Sequence, residues 1–429
     1  MNTKDAKCVY CVGIGGAGMS ALSGLLASRG VSVSGSDREK GKNTKLLEER
    51  GVFVFEGHSK EHINPNTDLV IYSDAIPENN VERVWAKENN VPQKSYFNAL
   101  GDISKEYKTI AIAGTHGKTT ATAMLARMLK NIDPTVIVGS IMRDSGTNVV
   151  IGEGECLLVE ACEYNDHFLH LSPKVLAITN IELDHTDYFK DIDQLVSSYI
   201  QLVQKLPKDG LLIMNTSGEY EQKLIEHASC KVVNYTDVEI PELLVPGAFN
   251  IENGKLAMAV ATNLLGESDA YAEGLSSFPG TWRRFEFKGK THNGTLVYDD
   301  YAHHPTAIEK TVIAIKKHFP SKRVVVAFHP HLYSRTHDFM DGFAKALALA
   351  DTTYVAPIFA AREEFDGVTT NDLLASKINE KGGDAETISE KENLVQILED
   401  CDENTIFFTM GAGDIYTWVP EYISTNFGE

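Results

Sequence analysis

Positive charge is scarce in this chain. Across 429 residues, 40 lysines and arginines face 60 aspartates and glutamates, a formal net charge of −20. A surface that acidic excludes a broad nucleic-acid-binding face, and any anionic ligand must be met by local basic pockets. Cysteine is sparse too. There are six, and only Cys8 and Cys11 stand close together. They fall within an apolar strand pattern, where positions three apart point to opposite faces. That argues against a redox pair or a zinc half-site and for reduced thiols. Long apolar runs are missing as well. Cys8 to Leu26 is fairly apolar but interrupted by five glycines, and nothing is long enough to span a bilayer, so a cytoplasmic protein is expected.

What is present is alternation of strand and helix patterns, which implies parallel sheets. We expect an α/β protein of three domains: a Rossmann-like N-terminal domain over 1–105, a central P-loop ATPase-like parallel-sheet domain over 106–279, and a C-terminal Rossmann-like α/β domain over 280–429. Strands are expected at Cys8–Val12, Val31–Ser34, Leu69–Tyr72, the run into Gly114, Leu157–Glu160, Lys174–Thr179, Leu211–Asn215, Leu296–Asp299, Val324–Phe328, Tyr354–Ile358 and Ile406–Thr409. Pro241–Asn253 reads as a loop that precedes a helix.

The most informative stretch is Thr109–Thr120. An apolar strand ends at Gly114, Thr115, His116, Gly117, Lys118, Thr119 and Thr120, and a helical pattern follows at once. This is a short phosphate loop at a helix N-terminus, where N–H groups and the dipole favour an anion. Lys118 supplies a point charge for the outer phosphates, and the Thr119 hydroxyl suits Mg²⁺. Glu160 and Glu163 close the next buried strand, and a carboxylate there reaches such an ion. His185 ends Asn180–His185 at the equivalent edge of the strand after it and is a second candidate metal ligand.

Gly13, Gly15 and Gly18 follow the first strand, and Asp37 lies about twenty residues on. The pattern lets a phosphorylated ligand approach the backbone; it leaves NAD, another nucleotide-linked ligand and a plain tight turn open. Further along, Asp299–Pro305 carries the adjacent His303 and His304, and His329, His331 and Arg335 end the next strand. Ligands of open parallel sheets bind beyond the strand C-termini. These histidines there can bind metal, orient a substrate or act as a base. Trp282, Arg283 and Arg284 add basic charge at a domain junction.

The order of these motifs resembles the ATP-dependent ligases of peptidoglycan synthesis, the Mur ligases, over essentially the whole chain. Gly114–Thr120 together with Asp299–Thr306 is the most specific part. Gly146–Asn148, Phe168–Leu171, Asn250, Asn253, Gly280–Phe285 and Gly411–Ile415 fit as well. The chain departs from the family pattern at Cys162, Tyr164, Phe249, Leu332 and Arg362.

The resemblance implies ATP and Mg²⁺ as cofactors, with Lys118 on the phosphates and Thr119, Glu160 and His185 on metal. It implies Asn250, Asn253, Arg284 and Asp300 around the nucleotide. Gly15, Gly16, Ala17, Gly18, Met19, Ser36, Asp37, Ser73, Ala75, Ile76 and Pro77 would bind a UDP-sugar. His303, His304, His331 and Arg335 would form the acceptor and acyl site. The implied reaction joins L-alanine to the lactyl carboxylate of UDP-N-acetylmuramate through an acyl phosphate. The rivals are ligation of a preformed tripeptide to the same UDP-sugar and, from another class, an NAD-dependent oxidoreductase.

Overall fold

The computed structural model of the protein describes residues 1–361, 363–419 and 423; Arg362 lies outside them. The chain forms two compact units. The first comprises Met1–Glu182, Asp193–Ile240 and Gly254–Leu275, and the second Leu183–Ile192, Pro241–Asn253 and Ser276–Glu429.

The first unit holds two sheets. The elements of the first are β1 (Cys8–Val12), α1 (Ala17–Ser28), β2 (Ser32–Asp37), α2 (Lys42–Glu49), β3 (Phe53–Glu56), β4 (Leu69–Tyr72), α3 (Val81–Glu88), β5 (Gln93–Ser95) and α4 (Tyr96–Ser104). Its strands pair in the order β3-β2-β1-β4-β5, all parallel. The second begins with β6 (Lys108–Ala113), α5 (Lys118–Met128), β7 (Thr135–Ile137), β8 (Val149–Val150), β9 (Cys156–Glu160) and β10 (Val175–Ile178). It continues through α6 (Ile192–Gln204), β11 (Leu211–Met214), α7 (Glu219–Glu226) and β12 (Lys231–Asn234). The order is β12-β11-β10-β6-β9-β7-β8, parallel except for the antiparallel β7–β8 pair.

Helices α8 (Ala248–Leu265) and α9 (Asp269–Ser276) follow. The expected loop over Pro241–Asn253 is therefore shorter, because α8 starts before Asn250. Pro246 and Gly247 stop the chain, and Asn250 then bonds back to the Pro246 carbonyl at 2.6 Å.

The second unit carries β13 (Glu286–Lys290), β14 (Leu296–Asp300), α10 (Pro305–His318), β15 (Arg323–Phe328), α11 (Tyr333–Asp338), α12 (Met340–Leu347), β16 (Thr352–Val355), α13 (Asn371–Glu380), β17 (Ala385–Thr387), α14 (Lys391–Asp400) and β18 (Thr405–Met410). Its order is β13-β14-β18-β15-β16-β17, with only the β13–β14 pair antiparallel. Both faces are covered. Val324, Val326 and Phe328 pack into one apolar cluster and Val325 and Ala327 into another. Continuous apolar strands are what a sheet buried on both faces needs. In all three sheets the strand ends that carry polar motifs are C-terminal ends.

Candidate active site

Strand β6 delivers the phosphate loop. Gly114 has φ +127°, and a Cβ there would lie 2.0 Å from Thr179 Oγ1, so only glycine fits. The loop is laced to the exit of β10. Thr115 Oγ1 donates to the Glu182 carbonyl at 2.8 Å, and the His116 N–H donates to Asn180 Oδ1 at 3.0 Å. Gly117, with φ +87°, starts α5.

Lys118 Nζ donates to both oxygens of Glu163 at 2.9 and 2.8 Å, and to the carbonyls of Gly114 and Thr115. Burial alone favours the neutral amine, yet Glu163 outweighs it and raises Lys118 above an ordinary lysine. The Thr119 hydroxyl lies 3.0 Å from each Glu160 oxygen, and the Gly139 N–H donates to Glu160 at 2.7 Å. Hydroxyl and carboxylate oxygens converging this way are the hard donor set that suits Mg²⁺. Thr120 is buried in the first turn of α5. Burial pushes the neighbouring Cys162 thiol up to about 12, so it is an inert filler.

The glycine loop after β1 is held by its own sheet. The N–H groups of Gly13 and Ile14 donate to the Ser36 carbonyl at 2.8 and 3.0 Å. Asp37 accepts from the Gly15 N–H at 2.7 Å. This carboxylate fixes the loop, which removes the argument for reading it as an NAD ribose ligand. Gly16 and Ala17 are exposed at the start of α1, while Met19 is buried behind them. Asn148 donates to the Ala17 carbonyl at 2.7 Å.

The Ser36 side chain is turned inward. Its hydroxyl donates to the fully buried Glu82 at 2.6 Å and lies 2.8 Å from His58 Nδ1. Ser73 and Ile76 pack against Gly13, and Ala75 and Pro77 are exposed beside them.

In the second unit, β14 ends in two aspartates with different tasks. Arg283 is 3% exposed and donates to Asp299 at 2.8 Å and to the carbonyls of Gly413 and Gly411 at 2.8 and 2.6 Å. Of the basic run at 282–284, Arg283 is thus a buried staple. Arg284 lies over the Tyr301 ring at 4.9 Å. Asp300 accepts from the N–H groups of Phe285 and Ala302, and burial pushes its carboxyl up to about 6 against the pull of Arg284. Asn250 and Asn253 are buried in the first turns of α8.

His303 Nδ1 lies 2.9 Å from the Tyr301 carbonyl, which places its proton on Nδ1 and the lone pair on Nε2. Burial, then Arg335, hold this ring well below the ordinary histidine range. His304 is the opposite tautomer, because its Nδ1 accepts from the Thr306 N–H at 3.3 Å and caps α10. Arg335 Nη2 donates to Asp184 at 3.2 Å, and Arg335 Nη1 lies 3.5 Å from His331 Nδ1. Burial would raise Asp184, but His185 and then Arg335 hold it well below the usual carboxylate range.

The structure therefore gathers Asp184, His185, His303, His304, His331 and Arg335 in one unit. Thr119 and Glu160 belong to the other. His329 turns away from this group into the core beside Gly411 and Gly413. Asp184 is the residue that sequence reasoning passed over. Its signal was its place beside His185 at a strand exit.

A phosphate loop with a Thr–Glu oxygen pair, a second glycine loop in the same unit and a histidine–arginine cluster on a third sheet define a class: an ATP-dependent, amide-forming ligase of three α/β modules. The chain belongs to the Mur ligase family. Residues 9–108 match the Mur ligase family catalytic domain, 112–242 the Mur ligase middle domain and 283–413 the Mur ligase glutamate ligase domain.

The UDP-N-acetylmuramate–L-alanine ligase of Clostridium novyi is 37% identical over 441 residues, covering 96% of each chain. That of Clostridium acetobutylicum is 36% identical over 443 residues, again covering 96% of each. Among solved structures, the UDP-N-acetylmuramate–alanine ligase of Thermotoga maritima superposes with a TM-score of 0.80 at 29% identity, over 96% of this chain and 97% of that one. A murein peptide ligase from Psychrobacter arcticus shares the fold with a TM-score of 0.69 at 23% identity, over 96% and 97%.

Proposed function

We propose that this chain uses ATP to join L-alanine to the lactyl carboxylate of UDP-N-acetylmuramate in peptidoglycan precursor synthesis. The observation that carries the reading is the Asn148–Ala17 hydrogen bond of 2.7 Å, which ties the glycine loop to the unit that holds the phosphate loop. A UDP-sugar on α1 and a nucleotide on α5 then share one body. The setting is cytoplasmic, where ATP and nucleotide-sugars meet; among the described residues no helix is long and apolar enough to cross a membrane.

Thr119 and Glu160 would hold Mg²⁺, and His185 a second ion. Bound there, Mg²⁺ supplies positive charge that offsets repulsion between the carboxylate and the phosphates. Lys118 and the loop N–H groups stabilise the γ-phosphoryl group as the carboxylate oxygen attacks phosphorus and ADP departs. Asn250, Asn253, Arg284 and Asp300 hold the nucleotide, and Gly15–Met19 with Ser73–Pro77 hold the UDP-sugar. The amine then attacks the acyl carbon, and phosphate leaves. The tautomers divide the labour: His303 Nε2 carries the lone pair that takes the amine proton, while His304 and Arg335 donate.

The test is phosphate release from ATP with Mg²⁺ and UDP-N-acetylmuramate, compared across L-alanine, glycine, L-serine and the tripeptide, with mass spectrometry of the product. Release that depends on L-alanine, with a product heavier by one alanyl residue, is expected. Release with the tripeptide alone would assign the chain to the recycling reaction instead.

A further inference from the structure

Tyr96 opens α4 in the first unit and has no part in the roles described so far. Its ring lies against the glycine loop: a Cβ on Gly18 would stand 2.6 Å from Tyr96 Cζ and 2.9 Å from its Oη. Position 18 is therefore a glycine because a phenol passes there. Gly18 is in the first turn of α1, so the hydroxyl reaches a helix end whose backbone donors favour an anion. The charge that acts most on its hydroxyl is that of Glu160, the carboxylate bonded to Thr119. Among the described residues, the Tyr96 hydroxyl makes no hydrogen bond. Among the described residues, a half-buried donor without a protein partner thus stands at the helix end of one ligand loop, within electrostatic reach of the carboxylate beside the other.

We propose that Tyr96 is a catalytic residue whose hydroxyl donates a hydrogen bond to the acyl oxygen of the lactyl group. This rests on the glycine loop being the UDP-sugar site. When the carboxylate attacks phosphorus, the bond from phosphorus to the ADP oxygen breaks, and ADP leaves with the electron pair. The acyl phosphate retains a carbonyl oxygen. As the amine nitrogen forms its bond to carbon, that oxygen takes on negative charge. It gives the charge back when the C–O bond to phosphate breaks and the nitrogen loses its proton. A donor fixed at that oxygen stabilises the charged intermediate more than the ground state. Tyr96 keeps its proton throughout and acts as a donor alone.

The experiment compares wild type with Y96F, which keeps the ring against Gly18 and removes only the donor. Binding of the UDP-sugar and of ATP is measured by calorimetry, and the acyl phosphate is trapped with borohydride. The expected result is a fall in kcat of about 100-fold, the scale of losing one oxyanion donor. KM for the UDP-sugar stays near the wild-type value, and trapped acyl phosphate rises above the wild-type level. Turnover of Y96F close to wild type overturns the proposal. So does loss of UDP-sugar binding along with turnover, since that marks a structural residue. Wild type that releases no phosphate with L-alanine overturns the function reading itself, a result read before any variant is made.

Discussion

Lys118 is bound through both oxygens of Glu163, at 2.9 and 2.8 Å, inside the phosphate loop. Its ammonium also reaches the Gly114 and Thr115 carbonyls, so its donors are engaged before any phosphate arrives. A nucleotide bound by this cation, as proposed above, would have to compete with the loop for it. Glu163 therefore holds Lys118 charged and pointing into the loop.

Lys118→Ala is expected to abolish phosphate release while UDP-sugar affinity stays nearly intact. Calorimetric titration checks the second half; lost affinity would mean that the glycine loop is not the sugar site. Glu163→Gln leaves the buried ammonium short of a counter-charge, and urea unfolding should show a loss of about 3 kcal/mol.

Gly18→Ala sets a methyl group 2.6 Å from the Tyr96 ring. Overpacking of this kind costs about 1–3 kcal/mol. Gly41→Ala has open space around its Cβ and is the control. Equal melting temperatures for the two variants would show that the Tyr96 ring does not need the space.

Arg283 and Arg284 should separate cleanly. Lysine at 283 cannot span Asp299 and two carbonyls, so Arg283→Lys should destabilise the protein by about 3 kcal/mol. Arg284→Lys should melt near wild type and bind nucleotide more weakly. A calorimetric scan and an ATP titration on each variant decide the matter.

His303→Gln should slow amide formation more than His304→Gln, because only His303 carries a free lone pair on Nε2. Neither change should weaken ATP binding. Single-turnover product formation with L-alanine checks this, and a larger loss at His304 would reverse the assignment.

His167 gives the stability a pH dependence. Burial, then the charge of His170, push its ring down to about 4, with Asp166 pulling the other way. Asp74 lies 3.9 Å from its Nε2, and Phe97 stacks on the ring. The unfolded histidine titrates near 6.5, so the unfolded chain binds more protons below that pH. Stability should fall as pH drops from about 6.5 to about 4. Urea midpoints for wild type and His167→Asn across that window check it, with a shallower fall in the variant.

Much of this architecture was legible because strand, glycine turn and helix N-terminus are local signals. Cys8–Val12 and Leu69–Tyr72 were readable to the residue, since both are short apolar strands that end at turn residues. Short strands such as Thr135–Ile137 and Gln93–Ser95 carry too few residues to show a period. The start of α8 was hidden by Asn250, Asn253 and Gly254, which read as punctuation. Gly254 instead lets Ile240 and Leu275 pack close, a tertiary reason. Arg283 and Arg284 are chemically identical in sequence; Asp299 and the carbonyls of Gly411 and Gly413, partners distant along the chain, tell them apart. Tyr96 was invisible for the same reason, because its partner is the absent side chain of Gly18.

The ten residues Leu183–Ile192 are grouped with the second unit although they sit in sequence between two parts of the first. They bring Asp184 to Arg335. A gene fragment encoding only residues 280–429 would retain the arginine, the paired histidines and the whole six-stranded sheet, yet would seal a guanidinium into the protein without its carboxylate. The catalytic modules of this ligase are thus interleaved along the message. A recombination that exchanged the C-terminal half between relatives would have to bring the matching aspartate with it.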